Sequence, residues 1–369
     1  MEGLVGMFAD YFRGKSVLVT GHTGFKGGWL SAWLGRLGAE VSGLALPPED
    51  GQKVYENLPE GLFRQEFFVD IRDPRAVREA VASCQPDFVF HLAAQALVRK
   101  SYMEPVETMA VNVMGTLHLL EAVRHQAPRS HVLVVTSDKC YENQCWDHGY
   151  RENDPMGGHD PYSMSKGACE LAVSSWRRSF FTTRPGSGRV VTARAGNVIG
   201  GGDFCADRIV PDCVRSLGMR QPVRVRNPQA TRPWQHVLDC LSGYLCLGAV
   251  MARSPHWNEW AFNFGPSSAS NQPVRSLVVE ILKHWPGSWQ DDSDPGAVHE
   301  ASRLHLSTDK AAAVLGWQPT WQFADAVRQT ILWYKARHEG ADMKAFTLGQ
   351  IETFCSDAAA RNLPWTATT

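Results

Sequence analysis

Tyr162 and Lys166, in the stretch Tyr162-Ser163-Met164-Ser165-Lys166, are the residues whose spacing most directly suggests chemistry. Four residues on a helix put both side chains on one face, one turn apart. An ammonium held there, with a positively charged nicotinamide ring nearby, would favour the phenolate and lower the tyrosine pKa toward working pH, so that the tyrosine can take a proton from a hydroxyl. The same spacing also arises in exposed pairs without a role, and context has to decide. Upstream, an apolar run ends in Val134-Val135-Thr136-Ser137-Asp138-Lys139-Cys140-Tyr141. It reads as a strand whose carboxyl end presents Ser137, the hydroxyl that would hold a substrate oxygen, followed by an acid and a base.

A second constellation opens the chain. Gly21-His22-Thr23-Gly24-Phe25-Lys26-Gly27 follows a β-branched run and precedes an apolar helical one. Glycines there allow a tight turn and close approach to a pyrophosphate, and the following helix offers free N–H groups and a positive dipole end. The spacing is G-x-x-G-x-x-G, looser than the common dinucleotide fingerprint. The second strand ends Leu44-Ala45-Leu46-Pro47-Pro48, with no carboxylate before Glu49 and no basic residue for a 2′-phosphate. NAD is therefore expected in preference to NADP. Asp70, after the third strand, either lies beside the adenine or caps the helix ahead of Pro74. His22 and Lys26 are expected to adjoin the pyrophosphate and to tune NAD affinity.

These groups need a frame. Apolar, β-branched runs at 15–20, 40–46, 66–69, 87–92, 131–136 and 189–193 read as strands. Amphipathic runs at 25–37, 74–83, 105–126 and 161–181 read as helices. Such alternation predicts an α/β fold, a doubly wound parallel sheet of Rossmann type. The pattern breaks at Gly200-Gly201-Gly202. Residues 1–200 are expected to form the dinucleotide-binding domain and 201–369 mainly a smaller substrate-binding lobe, some of whose segments return to the large domain. Residues 286–297 read as a loop, and 343–362 as a helix docking on the body or on a neighbouring subunit.

Bulk composition excludes several classes. With 37 basic and 38 acidic residues the net charge is −1, which disfavours a general nucleic-acid or anionic-membrane surface. No run approaches the roughly 18–20 apolar residues that span a bilayer, and the first residues lack a signal-peptide pattern. Nine cysteines without a C-x-x-C pair read as reduced thiols, so a cytoplasmic protein with no metal is expected. Thirteen spread tryptophans suit packing better than a stacking platform.

A glycine cradle, a strand-end serine and a later Tyr/Lys pair, in that order, resemble the extended short-chain dehydrogenase/reductase family. So do His91-Leu92-Ala93-Ala94-Gln95 after the fourth strand and Asn112 in the long helix. Further stretches resemble the nucleotide-sugar 4,6-dehydratases of that family, in the branch acting on CDP-glucose: Thr136 to Tyr141, Arg194-Ala195-Gly196-Asn197-Val198-Ile199-Gly200, and Arg226-Asn227-Pro228 through Arg232-Pro233-Trp234-Gln235-His236. The resemblance implies NAD held by Gly21, His22, Gly24, Phe25, Lys26, Gly27, Asp70, Ile71, Leu92, Ala93, Ala94, Gln95 and Asn112. It implies loss of water from CDP-glucose, with Ser137, Tyr162 and Lys166 oxidising carbon 4. Asp138, kept protonated by burial, would be the acid at carbon 6. The related dTDP-glucose enzymes carry Asp-Glu where this chain has Asp138-Lys139. Lys139 would therefore be either the base at carbon 5 or a stabiliser of the enolate. Arg232 and Arg303 would grip the diphosphate, with Arg208 a weaker candidate for the same task, and Asn197 would donate to the sugar or phosphate. Family members form dimers through the Tyr/Lys helix, so a homodimer or higher homo-oligomer is expected. The alternatives are a 4,6-dehydratase or 4-epimerase for another nucleotide sugar, and, from a different class, a non-catalytic NAD-binding regulator.

Overall fold

The computed structural model describes residues 9–48, 54–183, 185–205, 208–254, 256–293 and 304–366. Seven parallel strands form the central sheet: β1 (Ser16–Thr20), β2 (Glu40–Ala45), β3 (Phe63–Phe68), β4 (Phe88–His91), β5 (His131–Val135), β6 (Val190–Ala195) and β7 (Ala261–Phe264). Their order across the sheet is β7-β6-β5-β4-β1-β2-β3. The chain moves outward from β1 to β3 and then returns to the other side of β1. The crevice between the ends of β1 and β4 is thus the switch point at which such folds bind ligands. Alternation along each strand sends side chains to two cores. Val17 and Val19 join one and Leu18 the other; Phe88 and Phe90 oppose Val89 in the same way.

Helices cover both faces. On one lie α1 (Phe25–Arg36) and, from later in the chain, α5 (Val237–Arg253), α6 (Phe323–His338) and α7 (Met343–Ala360). On the other lie α2 (Pro74–Cys84), α3 and α4. Helix α3 comprises Pro105–Met109, a wider π-type turn Ala110–Gly115, and Thr116–Gln126. Helix α4 comprises Pro161–Trp176 and a similar closing turn, Arg177–Phe181. Local chemistry sets these boundaries. Asp73 accepts from the N–H groups of Arg75 and Ala76 ahead of Pro74, and Asp160 accepts from Ser163 N ahead of Pro161.

The six anticipated strands and four helices are present, with ends shifted by a few residues. The periodicity after residue 200 hides α5 and β7, which return to the sheet and pair β7 with β6. The loop expected at 286–297 contains a short strand, Trp289–Asp291, parallel to Val223–Val225; residues 294–297 lie outside the described residues. Helix α7 docks on α1 and α6 through Phe354 against Trp33 (ring centroids 5.6 Å apart) and Thr347 Oγ1 accepting from Trp333 Nε1 at 2.9 Å. No helix among the described residues is long and apolar enough to cross a membrane.

One buried acid inside this frame is not at the strand ends. Asp239, on α5, accepts from the backbone N–H of Thr320 at 2.6 Å through Oδ1, tying the segment ahead of α6 to the core. Its Oδ2 and Thr320 Oγ1 are both buried without a hydrogen-bond partner. Burial pushes the carboxyl up to about 7. A raised carboxyl pKa means that the native state holds a proton the unfolded chain has already lost, so stability declines as pH rises from about 4 through 7. Asp239→Asn should remove that decline and be more stable than wild type at pH 8 by about 1–3 kcal/mol. Urea denaturation of both proteins at pH 5 and pH 8 measures it; equal pH dependence would contradict the assignment.

Candidate active site

The cradle forms where β1 turns into α1. Gly21 has φ +74° and lies against the chain leaving β4, where a Cβ would sit 2.8 Å from Ala93 N. At Gly27 a Cβ would sit 2.0 Å from the Gly21 carbonyl oxygen, so the loop can close only with glycine there. Gly24, the N-cap of α1, brings no side chain to the helix end, which leaves the N–H groups of the first turn facing outward. This geometry fits a pyrophosphate.

Beneath it, buried polar groups lock together the ends of β1, β4 and the middle of α3. Thr116 Oγ1 donates to the Asn112 carbonyl at 2.8 Å, so it accepts from His91 Nε2 at 2.9 Å. His91 Nδ1 is then the acceptor for Thr20 Oγ1 at 2.6 Å, while that hydroxyl accepts from Leu92 N and Ala93 N. Burial pushes the imidazole down to about 3, with the Lys166 charge acting in the same direction, so the ring is neutral with its proton on Nε2. Asn112 continues the network: Oδ1 accepts from Gln95 N at 2.8 Å, and Nδ2 donates to Gln95 O and to Ser165 Oγ. Ser165 donates to the Tyr162 carbonyl, and Tyr162 N donates to Ser101 Oγ. The first turn of α4 is thereby fixed relative to β4.

Tyr162 and Lys166 project from that turn into the crevice, the Lys166 Nζ 5.9 Å from the Tyr162 ring centroid. Ser137 and Asp138 meet them from the end of β5. The Ser137 hydroxyl donates to Asp138 Oδ1 at 2.9 Å and accepts from Lys139 N at 3.3 Å, and Ser137 also acts to lower the Tyr162 phenol. Asp138 Oδ2 occupies the space where a Cβ on Gly196 would come within 2.8 Å. Ser137, Asp138, Tyr162 and Lys166 are all buried. Burial raises Asp138, as the sequence suggests, against the opposing charges of Lys139, Arg232 and Lys26. It also raises Tyr162 to about 12 and lowers Lys166.

A carboxylate–guanidinium pair underlies the strand ends. Glu170, one turn after Lys166, binds Arg194 of β6 through both oxygens at 2.9 Å, and both side chains are nearly inaccessible. Glu170 also accepts from Thr136 Oγ1 and Thr192 Oγ1. Arg194 Nη1 donates to Tyr141 OH at 2.6 Å and to the Glu152 carbonyl. Tyr141 OH in turn donates to Asn263 Oδ1 of β7 at 2.8 Å. Thr136, Tyr141 and Arg194 stand in the family-like stretches of the sequence without a role read for them, and sequence reasoning missed Glu170 and the pairing.

Other expected ligands fall in varied places. His22 does not face the cradle: its ring is fully buried over Gly43, with Nε2 3.0 Å from Glu66 Oε1, because an imidazole in that loop finds an aromatic cage of Tyr55, Phe63 and Phe68. Lys26 acts electrostatically on both Asp138 and Lys166. Asp70 is not the helix cap, a task that falls to Asp73. Asp70 instead chelates the Arg72 guanidinium, which holds its carboxyl below the usual range. Ile71 packs beneath Gly115, and Phe25 beside Gly200. Ala94 follows Ala93 at the rim, partly exposed. Asn197 accepts from Gln235 N through its carbonyl in the turn after β6. Arg232 and Arg208 reach the site, where their charges act on Asp138 and Tyr162 respectively; Arg208 is also ion-paired to Asp203 at 2.6 Å. Arg303 lies outside the described residues.

Comparison with known proteins follows this geometry. The family described as GDP-mannose 4,6 dehydratase matches residues 18–330. The chain belongs to that family. It is 43% identical over 353 residues to a Salmonella typhimurium CDP-glucose 4,6-dehydratase, covering 94% of this chain and 98% of the relative. Among solved structures, the epimerase Mth375 of Methanothermobacter thermautotrophicus superposes with TM-score 0.77 at 24% identity, over 92% of this chain and 97% of that one. DesIV of Streptomyces venezuelae, a dTDP-glucose 4,6-dehydratase solved with NAD and TYD, gives TM-score 0.75 at 21% identity, over 88% and 98%. Both structures share the fold of the family, a parallel Rossmann-like sheet flanked by helices.

The Glu170–Arg194 pair makes a direct test of the frame beneath this family's site. Arg194→Met should leave a buried, unpaired carboxylate and cost about 3–5 kcal/mol. Adding Glu170→Gln should recover a substantial part, as read from urea denaturation of the single and double variants. Additive losses would show that the pair is not coupled.

Proposed function

We propose that this chain is an NAD-dependent lyase that converts CDP-glucose to CDP-4-keto-6-deoxyglucose and water. The observation that carries the reading is the meeting of two different proton-transfer groups in one buried crevice, Tyr162 from α4 and Asp138 from the end of β5, whose charge acts on the phenol. An epimerase needs only the first; a dehydratase needs both. The 43% identical Salmonella relative supports CDP-glucose over other nucleotide sugars.

In this reading bound NAD supplies the acceptor for hydride from carbon 4 and its donor to carbon 6. The Gly21–Gly27 cradle holds the pyrophosphate, with Leu92, Ala93 and Gln95 forming the wall opposite. Tyr162 takes the proton of the 4-hydroxyl, and Ser137 orients that hydroxyl. Lys166, buried beneath the ring, needs a second positive charge beside it to bring the phenol down to working pH. Asp138, kept protonated by burial, gives its proton to the departing 6-hydroxyl, and Lys139 acts at carbon 5. Arg232 and Arg208 meet the diphosphate, consistent with the preference of guanidinium groups for phosphate. Residues 201–369 mainly supply the substrate-binding lobe. Nine free thiols suit a reducing, cytoplasmic setting, and the product suits deoxysugar assembly.

The chain also works as a homodimer. On the first three turns of α4 the exposed residues are Met164 and Leu171, both apolar. Met103, Val106 and Met114 extend the patch onto α3 and the helix before it. An apolar surface of that kind calls for a partner. The Met164→Glu/Leu171→Glu double variant should sediment as a monomer where wild type sediments as a dimer; an unchanged coefficient would locate the interface elsewhere.

The activity is tested by incubating protein and NAD separately with CDP-glucose, dTDP-glucose, UDP-glucose and GDP-mannose. CDP-glucose should yield a product absorbing in alkali as a 4-ketosugar and lighter by one water. Product from another sugar nucleotide would overturn the base preference. A 4-epimer without water loss would overturn the dehydratase.

A further inference from the structure

Gly196, directly after β6, stands against the acid of the proposed reaction. Its φ lies outside the left-handed region, so the backbone there does not call for glycine. Space does. A Cβ at 196 would sit 2.8 Å from Asp138 Oδ2, closer than Cβ atoms come to other groups, while its next neighbours, Asp138 Cγ and Pro233 Cγ, are both 3.4 Å away. The one atom in the way is the tip of a side chain.

Both backbones are held. Gly196 comes two residues after Arg194, whose guanidinium is bound to Glu170 through two hydrogen bonds. The turn carrying Asp138 is closed by Cys140 N donating to the Ser137 carbonyl and Tyr141 N to the Asp138 carbonyl. Tyr141 OH accepts from the same Arg194, so one buried cation ties down both main chains. Rotation of the Asp138 carboxyl is then the cheapest way to admit a larger residue at 196. The two carboxyl oxygens also differ. Oδ1 accepts from the Ser137 hydroxyl at 2.9 Å, and Oδ2 has no hydrogen-bond partner among the described residues. With Oδ1 occupied as an acceptor, a neutral Asp138 carries its proton on Oδ2, the oxygen over Gly196.

Resting on the dehydratase reading, we propose that Gly196 is a positioning residue, its missing side chain being the space in which the acid for carbon 6 is held. In that step the carbon 6–oxygen bond breaks with its electron pair on oxygen, and the Asp138 proton turns that oxygen into water. The electrons of the carbon 5–hydrogen bond close the new double bond, and that proton passes to the base at carbon 5. A methyl group at 196 turns the donor oxygen away and leaves Ser137, Tyr162 and Lys166, which act at carbon 4, in place.

Rapid mixing of the NAD-loaded enzyme with CDP-glucose separates the two stages, because oxidation at carbon 4 shows as absorbance of the reduced nicotinamide. Gly196→Ala should unfold at a urea concentration close to wild type and reduce its cofactor at the wild-type rate, yet form product about 100-fold more slowly. With CDP-6-deoxy-6-fluoroglucose, whose fluoride departs without a proton, the variant should keep pace with wild type. In an Asp138→Ala background, where the obstructing atom is gone, Gly196→Ala should slow product formation no further, a comparison that decides the matter even where the single variant folds poorly. Equal slowing of oxidation and elimination, no recovery with the fluoro sugar, or a further loss in the double variant would each overturn the role of Gly196. Failure of the wild-type protein to dehydrate CDP-glucose would instead be failure of the underlying functional reading, and that control distinguishes the two.

Discussion

A charged pair taken wholly out of water constrains this structure more than any other contact. Glu170 and Arg194 are bound through two parallel hydrogen bonds, and further bonds tie the pair to Thr136, Thr192, Tyr141 and the Glu152 carbonyl. Thr136 is the residue before Ser137; Tyr141 closes the turn that holds Asp138 and Lys139; Glu170 is one turn beyond Lys166. An unpaired ion at such a site is too costly to tolerate, so these elements meet in only one way. The pair therefore sets the distance between the group that acts on a hydroxyl and the group that acts on a leaving oxygen. It contributes registration rather than simple adhesion, since two well-packed apolar side chains would hold the layers together about as well.

Burial then sets the chemical character of the crevice. It drives four groups at the strand ends toward their neutral forms: His91 and Lys166 down, Asp138 and Tyr162 up. For Asp138 this readies an acid. For Tyr162 it works against a base.

The frame was legible because parallel strands buried on both faces have a strong compositional signature, and because Pro and Asp mark the starts of α2 and α4. The seventh strand was not, since Ala-Phe-Asn-Phe (Ala261–Phe264) is too short to carry periodicity and its pairing with β6 is a tertiary event. At the site, Ser137, Asp138, Tyr162 and Lys166 were legible from spacing and order. His22 was misread because its position in a phosphate loop says nothing about where its ring turns, and that is decided by space above Gly43 and by Glu66 two strands away. Asp70 lies four residues before Pro74 and Asp73 directly before it, and it is Asp73 that caps the helix. Arg194 looked like one residue of a family motif, whereas its partners Glu170, Tyr141 and Glu152 come from three separated parts of the chain.

Helix α4 has 3.6 residues per turn to distribute, like any other. One side carries Tyr162, Lys166 and Glu170 into the site, another packs Ser165 and Cys169 against α3, and Met164 and Leu171 occupy what is left. On its first three turns only Met164 and Leu171 are left to water. Helix α2, by contrast, leaves Arg75, Arg78 and Glu79 in solvent, where charges can be exchanged with little effect. Over evolutionary time α2 is free to drift and α4 is not. Among relatives that change substrate, novelty should accumulate in the loops and the C-terminal lobe around an almost invariant rod.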